Sequence, residues 1–145
     1  MSGRRLDALL DDYAAHHRAR GNRICHAFGI TLIVFGVLSL LELVRIGGPW
    51  TAAELVIAAA AIFYVWRDPA LGLATVAAAV LLDVAARAVG DWRIGAAAFG
   101  VGWILQGIGH AVYEKSSPAF FRNLVHLLVG PAFLVNELTR MRRTR

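Results

Sequence analysis

Residues 24–44 read ICHAFGITLIVFGVLSLLELV, a predominantly apolar run with a single acidic residue near its end. An α-helix needs roughly 20 apolar residues to cross the hydrocarbon core of a bilayer, so this run predicts a transmembrane helix. The composition agrees, because 58% of the 145 residues are hydrophobic and only 17% are charged. Such a balance excludes an ordinary soluble domain and predicts one integral membrane domain over residues 1–145.

The rest of the chain predicts an all-α membrane bundle with about four transmembrane helices. The expected spans are residues 24–44, 51–66, 69–86 and 94–113, joined by short loops. Residues 1–23 are expected to form an amphipathic cytoplasmic arm, and residues 139–145 a basic tail. Residues 119–138 are apolar, but Arg122, His126 and the Gly130-Pro131 break favour an interfacial or re-entrant helix.

The positive charges indicate how the bundle is oriented. Four spans would place twelve of the 15 Lys and Arg residues on one side, leaving only Arg45, Arg87 and Arg93 on the other. The positive-inside rule then puts both termini in the cytoplasm, and the alanine- and arginine-rich composition favours a bacterial inner membrane. The basic residues flank apolar runs and form no aromatic-interleaved patch, so membrane lipid is an expected partner and nucleic acid is not.

Every histidine falls on the cytoplasmic side in this topology. The five are His16, His17, His26, His110 and His126. Gln106, His110 and Glu114 recur every four residues, which predicts one polar stripe at the end of the fourth span. A polar stripe near the bilayer requires a partner inside the protein.

That partner is predicted at the start of the first span. His17 and His26 are nine residues apart and would point in opposite directions on one straight helix. Gly21 offers an end to the arm and Asn22 an N-cap for the span, so the chain can turn and bring both rings together. The sequence therefore predicts three imidazoles and the Glu114 carboxylate at one boundary.

Imidazole and carboxylate ligands with open positions suit a non-haem Fe(II), and they suit zinc as well. Tyr13, Asn22 and Gln106 are predicted to hold the rings in orientation. A cluster of basic residues, Arg18, Arg20 and Arg23, can attract an anionic head group or serve as a positive-inside anchor.

Other polar residues have simpler interpretations. His16 and His126 lack companions at an interpretable spacing and are read as interfacial side chains. The Asp83–Arg87 and Glu42–Arg45 spacings predict structural ion pairs within helices.

Both ends of the chain resemble the Mpo-type 2-hydroxy fatty acid dioxygenase family. The resemblance rests on Tyr13-x3-His17-x4-Asn22-x3-His26-x2-Gly29-Ile30, on Gln106-x2-Gly109-His110-x3-Glu114-Lys115-x2-Pro118-Ala119, and on Pro131-x-Phe133-x3-Glu137. Thr31, where the family usually has proline, and His16, which replaces a common aromatic, depart from the pattern.

The resemblance implies a small multi-spanning enzyme that uses Fe(II) and O2 in the α-oxidation of long-chain 2-hydroxy fatty acids. The product would be a fatty acid one carbon shorter. His17, His26 and His110 would bind the iron, and Glu114 would serve either as a ligand or as a support for one. Two alternatives stay open: another metal-dependent lipid enzyme, a hydroxylase or hydrolase, and a non-enzymatic transport or scaffold protein. The glycine and alanine content also permits a homo-oligomer.

Overall fold

The computed structural model describes residues 3–15, 17–114 and 125–141. Its elements are α1 (Gly3–Ala15), α2 (Arg20–Leu41), β1 (Arg45–Gly47), β2 (Trp50–Thr51), α3 (Ala52–Arg67), α4 (Pro69–Val89), α5 (Trp92–Ile108), a π-helical segment (Gly109–Glu114) and α6 (Val125–Thr139). Predictions about His16, Lys115, Arg122, the His126 side chain and residues 142–145 lie outside the described residues.

The predicted all-α membrane bundle is confirmed. Within the described ranges, three helical segments are long and apolar enough to cross a membrane: Arg20–Leu41, Pro69–Val89 and Trp92–Glu114. Helix α3 has 16 residues, fewer than the roughly 20 that a typical span needs. It nevertheless runs from the end of α2 back to the start of α4, so the four helices alternate in direction. Whether α3 crosses the bilayer stays a prediction.

We call the end where α2 begins and α5 finishes the histidine end, and the opposite end, with strands β1 and β2, the hairpin end. The loops between α3 and α4 and between α4 and α5 separate the helices where the sequence predicts short loops between the spans. Asp68 caps α4 by accepting hydrogen bonds from the Ala70 and Leu71 amides at 3.1 Å. Gly90 ends α4 with φ of 64°, a left-handed conformation that favours glycine. The small antiparallel β1–β2 hairpin was not predicted.

Helices α2 and α5 pack closely through glycines. A Cβ added to Gly36 would lie 2.5 Å from the Gly95 carbonyl oxygen, and one added to Gly102 would lie 2.8 Å from that of Gly29. Small residues allow helix backbones to approach this closely. Because lipid tails are as apolar as the helix surfaces, the helices associate through the van der Waals contacts that such close packing provides. The glycines thus fix the antiparallel register of the two helices that carry His26 and His110. Whether the chain also forms a homo-oligomer stays a prediction.

This packing predicts opposite effects for two alanine substitutions in α5. Gly102→Ala should lower stability by about 1–3 kcal/mol, because its methyl group would overlap the Ile33 side chain and the Gly29 backbone. Gly100→Ala is the matched control: no atom lies within 4 Å of its added Cβ, and it should be neutral or stabilise by up to about 1 kcal/mol. Thermal unfolding in detergent measures both, and equal melting temperatures would contradict the packing argument.

The amphipathic arm docks on the histidine end. Leu6, Leu10 and Tyr13 recur at helical spacing on α1 and are buried against Leu71 of α4 and Phe133 of α6. Burial of this apolar face holds α1 against the bundle, and so positions the residues that follow it.

The expected break at Gly130-Pro131 is wrong, since α6 continues through Pro131. A proline inside a helix removes one backbone hydrogen bond. Here the Tyr64 hydroxyl donates to the Leu128 carbonyl in the turn that precedes the proline, and Val129 and Ala132 are fully buried on either side. Tertiary packing therefore outweighs the loss of the backbone hydrogen bond at Pro131. Whether α6 lies in the interface stays a prediction.

The hairpin end is closed by ion pairs around Arg87. Its Nε lies 3.0 Å from Asp83 Oδ2, as the i,i+4 spacing predicts. Its Nη2 lies 2.9 Å from Glu42 Oε1 and also bonds Glu54. The predicted Glu42–Arg45 pair is replaced by Glu42–Arg87, because α2 ends at Leu41 and Arg45 already belongs to β1.

Candidate metal centre

Three histidines from three separate segments meet at the histidine end. The ring centroids are 4.2 Å apart for His17–His26, 4.8 Å for His26–His110 and 5.1 Å for His17–His110. Each residue can offer one nitrogen so that all three lie within 4.8 Å of one another. All three residues are at most 5% exposed. The structure thus brings together the imidazoles that the sequence selects, and their role as metal ligands stays a prediction.

The turn that brings His17 and His26 together lies earlier than the sequence predicts. Helix α1 ends at Ala15 and α2 begins at Arg20, with Ala19 as an extended N-cap. The predictions that Gly21 ends the arm and that Asn22 caps the span are therefore wrong. Gly21 instead packs against the Tyr113 ring, which an added Cβ would overlap. His17 lies in the linker, outside any helix, so its direction is independent of the α2 face that carries His26.

Backbone carbonyls orient two of the rings. His17 Nδ1 lies 2.6 Å from the Tyr13 carbonyl oxygen, and His26 Nδ1 lies 2.9 Å from that of Asn22. A carbonyl oxygen only accepts, so both Nδ1 atoms must donate their hydrogen. A neutral imidazole that donates through Nδ1 keeps its lone pair on Nε2, the form that ligates a metal. The backbone carbonyls of Tyr13 and Asn22 thus orient two of the rings, and the role of these residues as supports of metal ligands stays a prediction.

Glu114 lies at the end of the π-helical segment and contacts the start of α2. Its Oε1 accepts hydrogen bonds from the Ala19 amide at 2.7 Å and from Asn22 Nδ2 at 3.3 Å. A carboxylate is favourable at a helix N-terminus, where unpaired amides carry partial positive charge. The three-histidine group among the described residues does not include Glu114. Its contacts connect the segment that carries His110 to the helix that carries His26.

We expect Glu114→Gln to weaken metal binding by about 10–100-fold while leaving full occupancy at saturating metal. Losses of this size are typical when a group that supports a ligand is changed. Asp91→Asn is the matched control, because the Asp91 carboxylate also accepts from an amide at a helix N-terminus, that of Arg93 at 2.9 Å, but lies at the hairpin end. Titration of the purified variants with Fe(II) under nitrogen measures the affinity. Unchanged affinity would exclude a positioning role, and absence of binding at saturation would indicate direct ligation.

Tyr13 and Gln106 line the same cavity as the histidines. The Tyr13 ring stacks on His17, with centroids 4.0 Å apart and planes inclined by 8°. Burial raises the pKa of the Tyr13 phenol, so the group is protonated at neutral pH. Gln106 of α5 is buried and lines the cavity together with His110 of the π-helical segment, as the four-residue spacing predicts.

The three arginines proposed for an anionic head group differ in their contacts. Arg18 and Arg20 are exposed, and they follow His17 closely in the sequence. Arg23 donates from Nε to the His17 carbonyl oxygen at 2.9 Å and pairs through Nη1 with Glu137 of α6. Arg23 therefore holds the linker against α6, and the head-group role of all three stays a prediction.

Comparison with known proteins identifies the family. The model of the Mpo1-like family, described as 2-hydroxy-palmitic acid dioxygenase Mpo1-like, matches residues 4–142. The chain belongs to the Mpo1-like family. It is also 31% identical over 139 residues to the 2-hydroxy-palmitic acid dioxygenase MPO1 of Saccharomyces cerevisiae, covering 91% of this chain and 78% of the yeast protein. No solved structure matches.

The structure also places around the histidines two apolar residues that the sequence does not predict as site residues. Trp103 of α5 and Ile30 of α2 line the cavity beside His26 and His110. A signal was present, because Trp103 precedes Gln106 by three residues and so lies on the same helix face. The lining of the cavity thus combines polar residues with apolar ones.

Proposed function

We propose that this protein is an Fe(II)-dependent dioxygenase that acts in the α-oxidation of long-chain 2-hydroxy fatty acids. The observation that carries the proposal is the buried group of three imidazoles at one end of a membrane bundle. Membership of the Mpo1-like family and the name of the yeast relative support the substrate class.

The donor set fits a first-row metal. Two of the three rings donate from Nδ1 to a carbonyl oxygen, the tautomer in which Nε2 carries the lone pair that ligates a metal. His17, His26 and His110 would hold the ion, with Glu114 supporting them through α2. Fe(II) bound there would supply the one-electron chemistry that activation of O2 requires.

The chain's own residues bind and orient the substrate. The cavity at the histidines has a volume of about 80 Å³. Its polar lining residues are the three histidines, Tyr13 and Gln106, and its apolar ones include six that it shares with a neighbouring, larger cavity: Ile30, Ile33, Val34, Trp103, Leu127 and Pro131. A 2-hydroxy acid matches this division, since its polar head can lie at the imidazoles while its chain contacts the apolar wall. Burial of the imidazoles also keeps bulk water from the reacting carbons.

The overall reaction balances with O2 as the oxidant. The bond between C1 and C2 of the 2-hydroxy acid breaks, and C2 is oxidised to the carboxyl carbon of the shortened acid. C1 leaves as carbon dioxide, and the remaining oxygen atom leaves as water. No further reductant is needed.

Product analysis tests the proposal. Protein purified in detergent and reconstituted with Fe(II) under nitrogen should convert 2-hydroxyhexadecanoic acid to pentadecanoic acid once air is admitted, as measured by mass spectrometry. Hexadecanoic acid, which lacks the hydroxyl group, should give no shortened product. A hydroxylated product of unchanged length, or an ester cleaved without O2, would favour the other metal-dependent lipid enzymes. Absence of any bound metal would favour a transport or scaffold protein.

We further propose that the histidine end faces the cytoplasm of a bacterial inner membrane, with both termini on that side. The excess of Lys and Arg at this end supports the orientation. Reporter fusions to the C-terminus test it, and periplasmic activity of the reporter would contradict it.

A further inference from the structure

A larger cavity, which we call the interhelical groove, lies between the four central helices and α6. Its volume is about 610 Å³, within the range of roughly 300–1,000 Å³ that is typical of small-molecule sites. Its deep part, towards the hairpin end, is lined by Val37 and Leu38 of α2, Val56 and Ile57 of α3, Leu82 of α4 and Phe99 of α5.

The groove adjoins the cavity at the histidines. Six residues line both: Ile30, Ile33, Val34, Trp103, Leu127 and Pro131. One end of the groove therefore lies beside the metal centre, and the other extends towards the hairpin end. A molecule that bound both would have a polar head and a long tail.

The wall of the groove is suited to hydrocarbon. Among the described residues that line it, none carries a charge. Its hydroxyl groups donate to backbone carbonyls: Thr31 to Ala27 and Thr75 to Leu71, each at 2.8 Å, and Tyr64 to Leu128. These hydroxyl hydrogens are already used, so they offer nothing to a polar ligand.

The groove is also long. His26, at the metal centre, and Leu38, in the deep part, are twelve positions apart on α2. At about 1.5 Å per residue this separation is roughly 18 Å, which suits a long extended acyl chain and exceeds what a short one would fill.

Three alanines line the groove between its ends: Ala60 of α3 and the neighbours Ala78 and Ala79 of α4. Ala60 lies between the lining residues Tyr64 and Val56, and Ala78 lies between Thr75 and Leu82. We propose that the interhelical groove binds the acyl chain of the substrate, and that Ala60 and Ala78 determine the chain length accepted by leaving the groove open at mid-depth. The identity of the head group rests on the proposed function, whereas the groove and its alanines do not.

Photoaffinity labelling tests the site without iron or turnover. The probe is hexadecanoic acid with a diazirine near its methyl end, added to the full-length protein in lipid nanodiscs and mapped by mass spectrometry. Labels are expected on the deep lining residues of α2 and α3. Ala78→Phe should reduce this labelling about tenfold, because the ring would occupy the groove at mid-depth. Ala77→Phe is the matched control, since Ala77 is exposed and does not line the groove.

Competition by unlabelled acids tests the role in length selection. In the unmodified chain, 2-hydroxyhexadecanoic acid should displace the probe more effectively than 2-hydroxydecanoic acid, and Ala78→Phe should reverse this order. Ala60→Leu, with exposed Ala59→Leu as its control, provides a milder test if the phenylalanine variant does not fold.

Labels spread over the lipid-facing surface, or equal labelling and equal competition in Ala78→Phe and Ala77→Phe, would overturn the proposal. These outcomes are independent of catalysis. Labelling in the groove without production of shortened acid would support the groove and contradict the dioxygenase. Shortened acid formed with the same length preference by all variants would do the reverse.

Discussion

Replacing His110 with alanine is expected to abolish metal binding and turnover. One nitrogen of each imidazole lies within 4.8 Å of the other two, and all three residues are buried, so removal of a ring takes one donor from an enclosed group of three. Changes to groups that merely support a ligand already cost about 10–100-fold in metal affinity. Loss of a ligand should therefore weaken binding by at least about 100-fold, and turnover should fall with it. His17→Ala and His26→Ala should behave alike.

Elemental analysis after anaerobic reconstitution measures this effect and also distinguishes iron from zinc. Val112→Ala is a suitable control, because Val112 lies in the same π-helical segment as His110 and is 59% exposed. It should retain the metal content of the unmodified protein. If all three histidine variants also retained it, the cluster would be only a structural feature. In that case a transport or scaffold protein would become the better account.

Replacing Arg87 with methionine is expected to produce the largest loss of stability away from the metal centre. Three carboxylates, those of Glu42, Glu54 and Asp83, depend on this one guanidinium. Asp83 is only 6% exposed, so its charge would be left without compensation in a poorly hydrated environment. Breaking a buried pair costs about 3–5 kcal/mol. Because the Arg87 side chain is 40% exposed, we expect about 2–3 kcal/mol, or a melting temperature roughly 6–12 °C lower.

The double variant with Asp83→Asn should recover part of the loss, since it removes the most buried charge. Arg93→Met serves as the control: Arg93 lies in the first turn of α5, at the same end of the bundle, and its guanidinium carbon is 5.5 Å from the Trp92 ring centroid. It should change the melting temperature little. Metal binding should persist in Arg87→Met below its melting temperature, because the histidines lie at the opposite end. An unchanged melting temperature would show that the ion pairs contribute nothing measurable.

Much of the helical framework could be predicted from the sequence. The length of each apolar run predicts a helix, and Asp68, Gly90 and Asp91 mark helix ends by local chemistry. The helical spacing of Leu6, Leu10 and Tyr13 likewise predicts that the N-terminal arm is an amphipathic helix. These features depend on neighbours in the chain, so a sequence pattern is enough to reveal them.

Predictions failed where distant segments outweighed local preference. Pro131 predicts a break, yet burial of Val129 and Ala132 keeps α6 continuous. Gly21 predicts the end of the arm, yet α2 already begins at Arg20. The glycine instead packs against the Tyr113 ring. In each case the decisive contact joins residues far apart in sequence, and no local pattern reports it.

For the site, the sequence by itself determined the chemistry available: three histidines and a glutamate at one end of an apolar bundle, on the side richest in positive charge. Only the tertiary structure decided how these groups are used. It set the ring orientations through the carbonyls of Tyr13 and Asn22, directed Glu114 to the start of α2, and opened a groove from the histidines towards the hairpin end. The physical reason is that residue type and spacing fix which groups a helix face presents. Hydrogen-bond partners and cavities arise only when separate helices pack against one another.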